Sequence, residues 1–186
     1  MQEIDLTNVQ ESGDYKKPRA GAYPCVITKV EDVPLNQDTG KGNYLRIHYD
    51  IADGEFKGYY AGLRKRYPDS NTIGSYIRSY KQSALGMFKR MCSAVSHSNG
   101  NFVFDAKTNK DEQTLVGKKI GLIFGEEEYY SNAGELKTRT YVYSECPIDK
   151  IASGDFRVPE LKKIKEEQNV NDFVNVAPGT EGEVPF

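Results

Sequence analysis

The chain has 186 residues, 38% hydrophobic and 28% charged, with a formal net charge of −2. That length accommodates one ordinary domain with appendages, and the low apolar fraction implies that part of the chain stays outside any packed core. No apolar run approaches the roughly 20 residues that span a bilayer. The opening stretch MQEIDLTNVQESGDYKKPRAG is polar and acidic where an export signal has a basic start and an apolar centre. Membrane insertion and export are therefore not expected. Cys25, Cys92 and Cys146 are odd in number and far apart, which suits reduced thiols acting as small core residues in a cytoplasm.

The net charge conceals an asymmetry. Residues 166–186 hold five acidic residues and no Lys or Arg, leaving 22 acidic against 25 basic residues before them, a body of +3. Within residues 41–90, ten Lys or Arg face four Asp or Glu, a local +6.

In chain order, residues 1–20 lack periodicity and read as a flexible arm ending in Lys16-Lys17-Pro18-Arg19. Residues 22–33 are rich in β-branched types and predict a first strand. A turn by composition follows at 36–42. Residues 43–52 form the clearest strand pattern: Leu45, Ile47, Tyr49 and Ile51 share one face, and Tyr44, Arg46, His48 and Asp50 the other. Asp53-Gly54 is a preferred hairpin turn, leading to a third strand over about 56–67. Leu85, Phe88, Cys92 and Val95 recur at helical spacing, predicting a helix over 75–95. After a poorly patterned connector, strands are predicted over 115–130 and 136–146, joined by a turn at 131–134. The order β-β-β-α-β-β is that of the OB-fold, a five-stranded partly open Greek-key barrel that often binds oligonucleotides. The expected class is mainly β: an OB-type barrel over 21–150 with one helix between strands three and four. Pro159 starts a short helix through Glu167 within a helical extension over 151–168, and 169–186 read as a disordered acidic tail.

The strongest chemical signal is the interleaving of aromatic and basic residues. Seven of the thirteen tyrosines lie in residues 41–90, interleaved with Arg46, Arg64, Lys65, Arg66, Arg78 and Lys81. Single-stranded nucleic acid is held by this mixture, because any base stacks on an aromatic face while cations follow the phosphates. The candidate binding residues are Tyr44, Arg46, His48, Tyr59, Tyr60, Arg64, Lys65, Arg66, Tyr67 and Arg78. Tyr44, Arg46 and His48, outward on the second strand, are the leading patch, continued by Arg64 and Arg66, with Lys65 on the opposite side by strand alternation. Tyr49 reads as core. Tyrosine is favoured in strands for packing alone, so the signal lies in the set. Catalysis has little to stand on. His48 and His97 have no Cys or His at metal-ligand spacing, and no phosphate loop or nucleophile elbow occurs. No catalytic residue, metal or cofactor is expected. Glu126, Glu127 and Glu128 are the one dense acidic run, and read as a solvated cluster ahead of Mg²⁺ ligands.

The ending Glu181-Gly182-Glu183-Val184-Pro185-Phe186 resembles the acidic, Pro-Phe-terminated tip of bacterial single-stranded-DNA-binding proteins. In that family the tip docks on replication and repair proteins, its terminal Phe entering an apolar pocket. The resemblance implies partner-binding roles for Glu181, Glu183, Val184, Pro185 and Phe186, although here Glu replaces the family's run of Asp. The body, through Gly21-Ala22-Tyr23-Pro24, Gly40-Lys41-Gly42-Asn43-Tyr44-Leu45, Asp53-Gly54-Glu55-Phe56-Lys57-Gly58 and Leu115-Val116-Gly117-Lys118-Lys119, is similar to bacteriophage single-stranded-DNA-binding and recombination-accessory proteins. It departs from bacterial relatives in having no Trp, so Tyr and Phe would do the stacking. The expectation is sequence-independent single-stranded DNA binding in phage replication or recombination, in the cytoplasm of a bacterial host, with homo-oligomerisation left open. Its rivals are a Mg²⁺-dependent phage nuclease or resolvase built on Glu126, Glu127 and Glu128, and an OB-like protein-interaction or virion module.

Overall fold

The computed structural model describes residues 3–5, 16–105, 107 and 111–164. Strand β1 (Gly21–Val33) turns Cys25, Ile27 and Val30 into the core. A register shift between Ile27 and Lys29 explains the change of spacing, because a bulge moves every later side chain to the other face. Strand β2 (Tyr44–Ile51) pairs antiparallel with β1 and buries Leu45, Ile47, Tyr49 and Ile51, the face its alternation predicts.

The next segment departs from expectation. In place of a strand over 56–67, the chain forms helix α1 (Tyr59–Arg66). Gly58 enters it at φ 75, and the Asp50 carboxylate on β2 accepts hydrogen bonds from the first-turn N–H groups of Tyr60 (3.1 Å) and Ala61 (2.9 Å). Arg64, Lys65 and Arg66 fall in its last turn, where cations complement the helix dipole. The aromatic content of Phe56, Tyr59 and Tyr60 mimics a strand, whereas the cap comes from a residue ten positions upstream.

The third strand is β3 (Ser75–Ser79), paired with β2, at the start of the span expected to be helical. Five residues are too few for their alternation to stand out. Gly74 makes the turn into it at φ 58: a Cβ there would sit 2.7 Å from both Arg64 Nη1 and Tyr60 Cβ. After a 3₁₀ turn at Gln82–Ala84, helix α2 (Leu85–Ser98) buries Phe88, Met91, Ala94 and Val95 against the sheet. Leu85 is exposed and Cys92 half-buried, so the apolar stripe is rotated from the one read in the sequence. Asn99 fixes the helix end to the sheet, exchanging hydrogen bonds with the Lys119 backbone at 2.7 and 2.9 Å.

Strands β4 (Lys119–Tyr130) and β5 (Leu136–Cys146) form the long hairpin expected, turning at Ser131-Asn132-Ala133-Gly134. Helix α3 (Ile148–Ser153) follows. The short helix expected from Pro159 does not form over 159–164. That strap is irregular, and Lys162 bridges β4 in parallel, donating to Glu126 O and accepting from Glu128 N, both at 3.0 Å. The rest of the expected helix lies outside the described residues. The end of the N-terminal arm also packs on the body: Pro18 is buried and Lys17 donates to Thr138 O at 3.0 Å.

The fold is thus mainly β, a five-stranded antiparallel sheet in the order β3-β2-β1-β4-β5 with α2 between β3 and β4. The sheet does not close into the expected barrel, since no ladder joins β3 to β5. Instead one buried ion pair spans them: Arg78 Nε donates to Glu145 Oε1 at 2.6 Å, with side chains 6% and 1% exposed. Removing one member of such a pair leaves an uncompensated charge and costs about 3–5 kcal/mol, whereas replacing both with apolar groups is often neutral. Arg78→Met should therefore lower stability in urea unfolding by about 3–5 kcal/mol, and adding Glu145→Leu should recover much of that loss.

Candidate functional site

Between β3 and β5, which no ladder joins, a cleft of about 450 Å³ opens. Its β3 wall carries Tyr76, Ile77 and Arg78, and its opposite wall Glu127, Arg139 and Tyr141. Tyr49 and Tyr60, both buried, line it from the core with their rings edge to face at 5.1 Å. Tyr141 takes its place because Gly125 leaves room: a Cβ on Gly125 would lie 2.8 Å from both the Tyr141 ring and Pro159 of the strap. Arg139, 62% exposed, has its guanidinium 5.2 Å from the Tyr129 ring centroid and donates to Glu127 Oε1 at 2.8 Å. The cleft therefore combines aromatic walls, a solvent-facing arginine and unpaired strand edges. That equipment suits planar rings attached to an anionic backbone.

The candidate residues read from the sequence divide among several places. Tyr44 and Arg46 stand on the outer face of β2, half-buried, with Arg46 donating to Tyr44 Oη at 3.1 Å. Arg46 is the cross-strand partner of Ile77, so this patch lies one strand back from the cleft. His48 on the same face is buried, with Nε2 3.0 Å from Glu31. Tyr59 packs edge-on against Tyr60. Arg64 is tied into the backbone, donating from Nη1 to Tyr49 O (3.1 Å) and Ile73 O (3.2 Å) while Nη2 lies 3.8 Å from Asp50. Lys65, Arg66 and Tyr67 are exposed at the end of α1, Tyr67 at 54%. The helix turns Arg64 inward and leaves Lys65 and Arg66 outside, instead of opposing Lys65 to the other two. Arg78 is buried on Glu145. Only Tyr60 and Arg78 of the candidates line the cleft. The tip residues Glu181, Glu183, Val184, Pro185 and Phe186 lie outside the described residues.

Sequence reasoning missed Tyr129, Arg139 and Tyr141. The signal was present, because Arg139-Thr140-Tyr141 interleaves cation and ring as residues 41–90 do. The acidic run is engaged by the chain itself. Glu126 lies 3.5 Å from Arg19, Glu127 pairs with Arg139 and Lys162, and Glu128 accepts from Ile164 N at 3.1 Å. No group of three or more His, Cys, Asp or Glu is placed to hold a metal among the described residues.

A second concavity of about 580 Å³ runs along α2, lined mainly by apolar atoms of Leu85, Phe88, Val103 and Phe104. Cys92 lines it too, and burial pushes its thiol up to about 11, so it stays protonated at neutral pH. No helix among the described residues is long and apolar enough to cross a membrane. No family model and no curated protein matches the chain.

Two outcomes follow for residues of the outer patch and α1. Hydrogen bonds from Lys29 (2.6 Å) and His48 hold the Glu31 carboxyl at about 2, below its ordinary 4.5. A depressed carboxyl contributes stability that is present above its unfolded value and lost as pH falls through the folded one. Glu31→Gln should therefore be less stable than wild type at pH 7, and the two should converge between pH 4.5 and about 2 when urea midpoints are followed against pH. Arg64→Ala should destabilise by about 1.5–3 kcal/mol, the range for hydrogen bonds from a charged donor, measurable in the same titration at neutral pH.

Proposed function

We propose that this protein binds single-stranded DNA without sequence preference, the strand running along the cleft between β3 and β5. The observation that carries the reading is the cleft itself: tyrosines from four elements converge on a gap between unpaired edges, with the Arg139 guanidinium at its rim. Bases stack on Tyr141, Arg139 meets the phosphate backbone, and the outer-face Tyr44 and Arg46, next to Ile77, extend the track. Duplex DNA offers no unstacked bases to such walls. On this reading the sheet is an OB-type barrel left open at one seam, because its strand order would need only a β3–β5 ladder to close, and the seam becomes the groove. The resemblance of the body to phage proteins, and of the tip to bacterial single-stranded-DNA-binding proteins, supports a role in DNA replication or recombination in a bacterial cytoplasm. The tip, through Phe186 and the nearby Glu181 and Glu183, recruits partner proteins. Binding draws on no metal or cofactor.

A second reading, a protein-interaction module, is favoured by the apolar groove along α2, where Val103 is largely exposed. The two separate on one titration of oligo(dT), duplex DNA and a matched RNA oligonucleotide by fluorescence anisotropy at two salt concentrations. The nucleic-acid reading requires oligo(dT) to bind more tightly than duplex, with affinity falling as salt rises. Tyr141→Ala should weaken oligo(dT) binding by about 5- to 150-fold, the equivalent of one stacked base, with its salt slope retained. Arg139→Ala should flatten that slope by about 0.7, the share of one single-strand phosphate. Equal affinity for duplex and oligo(dT), or no affinity for either, rules the reading out.

A further inference from the structure

We propose that Glu127 is a gate on the cleft, a carboxylate that holds Arg139 in the unliganded protein and yields it to a backbone phosphate of the incoming strand. This rests on reading the β3–β5 cleft as a nucleic-acid groove. Two arginines line the cleft, and Arg78 is committed to Glu145 in the interior. Arg139, with its exposed side chain, is the one that reaches a phosphate, yet Glu127 already occupies its Nε at 2.8 Å. A second cation shares that carboxylate: Lys162 Nζ lies 3.3 Å from Glu127 Oε2.

The sharing is what makes release of Arg139 inexpensive. The Glu127 side chain is only 17% exposed, and a carboxylate in that setting is costly to leave unpaired. Burial alone would raise its pKa, but the hydrogen bonds from Arg139 and Lys162 prevail and hold it below the ordinary carboxylate value. It therefore stays charged at neutral pH. Lys162 belongs to the strap, and its own N–H and C=O are fixed to Glu126 and Glu128 at 3.0 Å. It remains beside Glu127 when Arg139 turns away. Tyr129, with the guanidinium 5.2 Å from its ring centroid, gives Arg139 an aromatic seat that the gate does not occupy.

The gate also sets specificity. A free phosphate offers Arg139 what Glu127 already supplies and gains little by exchanging. A strand whose bases stack on Tyr141 adds free energy that free phosphate lacks, so it opens the gate. Neutralising Glu127 should tighten strand binding by the worth of one partly exposed ion pair, about threefold.

The test is a double-mutant cycle on oligo(dT) affinity with Glu127→Gln and Lys162→Ala, singly and together, alongside Arg139→Ala, each first shown by urea unfolding to be folded. Glu127→Gln is expected to bind about threefold more tightly than wild type. Lys162→Ala should weaken binding in the wild-type background and have no effect once Glu127 is Gln. If Arg139→Ala weakens binding but Glu127→Gln does not tighten it, the gate is wrong and the groove stands. If Lys162→Ala weakens binding equally in both backgrounds, Lys162 touches phosphate itself and the shared-carboxylate account is overturned. Should no variant bind oligo(dT), the groove and the gate fall together.

Discussion

The buried pair of Arg78 and Glu145 lets the sheet stop short of a barrel while still joining its two edge strands. Closing the sheet would require a ladder between β3 and β5, and β3 forms its ladder with β2 alone. A single charge pair at 2.6 Å does the joining instead. Two charges removed from water tolerate little displacement, so the pair fixes the position of both edges at one point. Next to it, Arg90 of α2 donates to Ser144 at 2.9 Å, tying that end of the seam to the helix. Back along the two segments, from Arg78 to Thr72 and from Val142 to Arg139, no ladder joins them and the cleft lies between.

What fills the base of that cleft is an aromatic cluster held by long-range contacts. Tyr49 packs on Tyr60, Tyr76 and Phe124 with ring centroids 5.1–5.9 Å apart. Tyr60 reaches it only because Asp50, the residue after Tyr49, caps α1 through the Tyr60 and Ala61 N–H groups. Arg64 returns from the far end of the same helix to the Tyr49 carbonyl. Cap, helix and return form a closed circuit around one strand, which keeps the rings in fixed orientations instead of leaving them to collapse into the gap. Rings held in this way have little side-chain freedom left to lose.

Half of the ten cations in residues 41–90 have roles of three kinds. Arg64 and Arg78 serve the interior, Lys65 and Arg66 close the dipole of α1, and Arg46 faces outward beside Tyr44. The cation best placed at the cleft, Arg139, comes from the other end of the chain. A local excess of basic residues is thus partly a structural demand, and the exposed cation at the cleft is one the sheet brings in from a distant part of the chain.

Alternation in β2, the turn residues at 131–134 and the helical spacing around Phe88 were each legible in the sequence, because the forces behind them act over a few residues. They suffice for a mainly β chain with a helix around Phe88 ahead of a closing hairpin, while the strand expected over 56–67 is helix α1. The basic-aromatic character of the body was legible for the same reason, since composition needs no geometry. The sequence could not place α1, because its cap is supplied by Asp50 from another element, nor β3, whose short alternation merges with the helical pattern that follows. It could not tell that Arg64 and Arg78 face inward, for a guanidinium reads alike whether it meets water or a buried carbonyl. Nor could it bring Arg139 and Tyr141 opposite Tyr76, a juxtaposition across more than sixty residues of chain. Only tertiary structure decides such matters, because burial, ion pairing and the open seam depend on which distant residues the sheet makes neighbours.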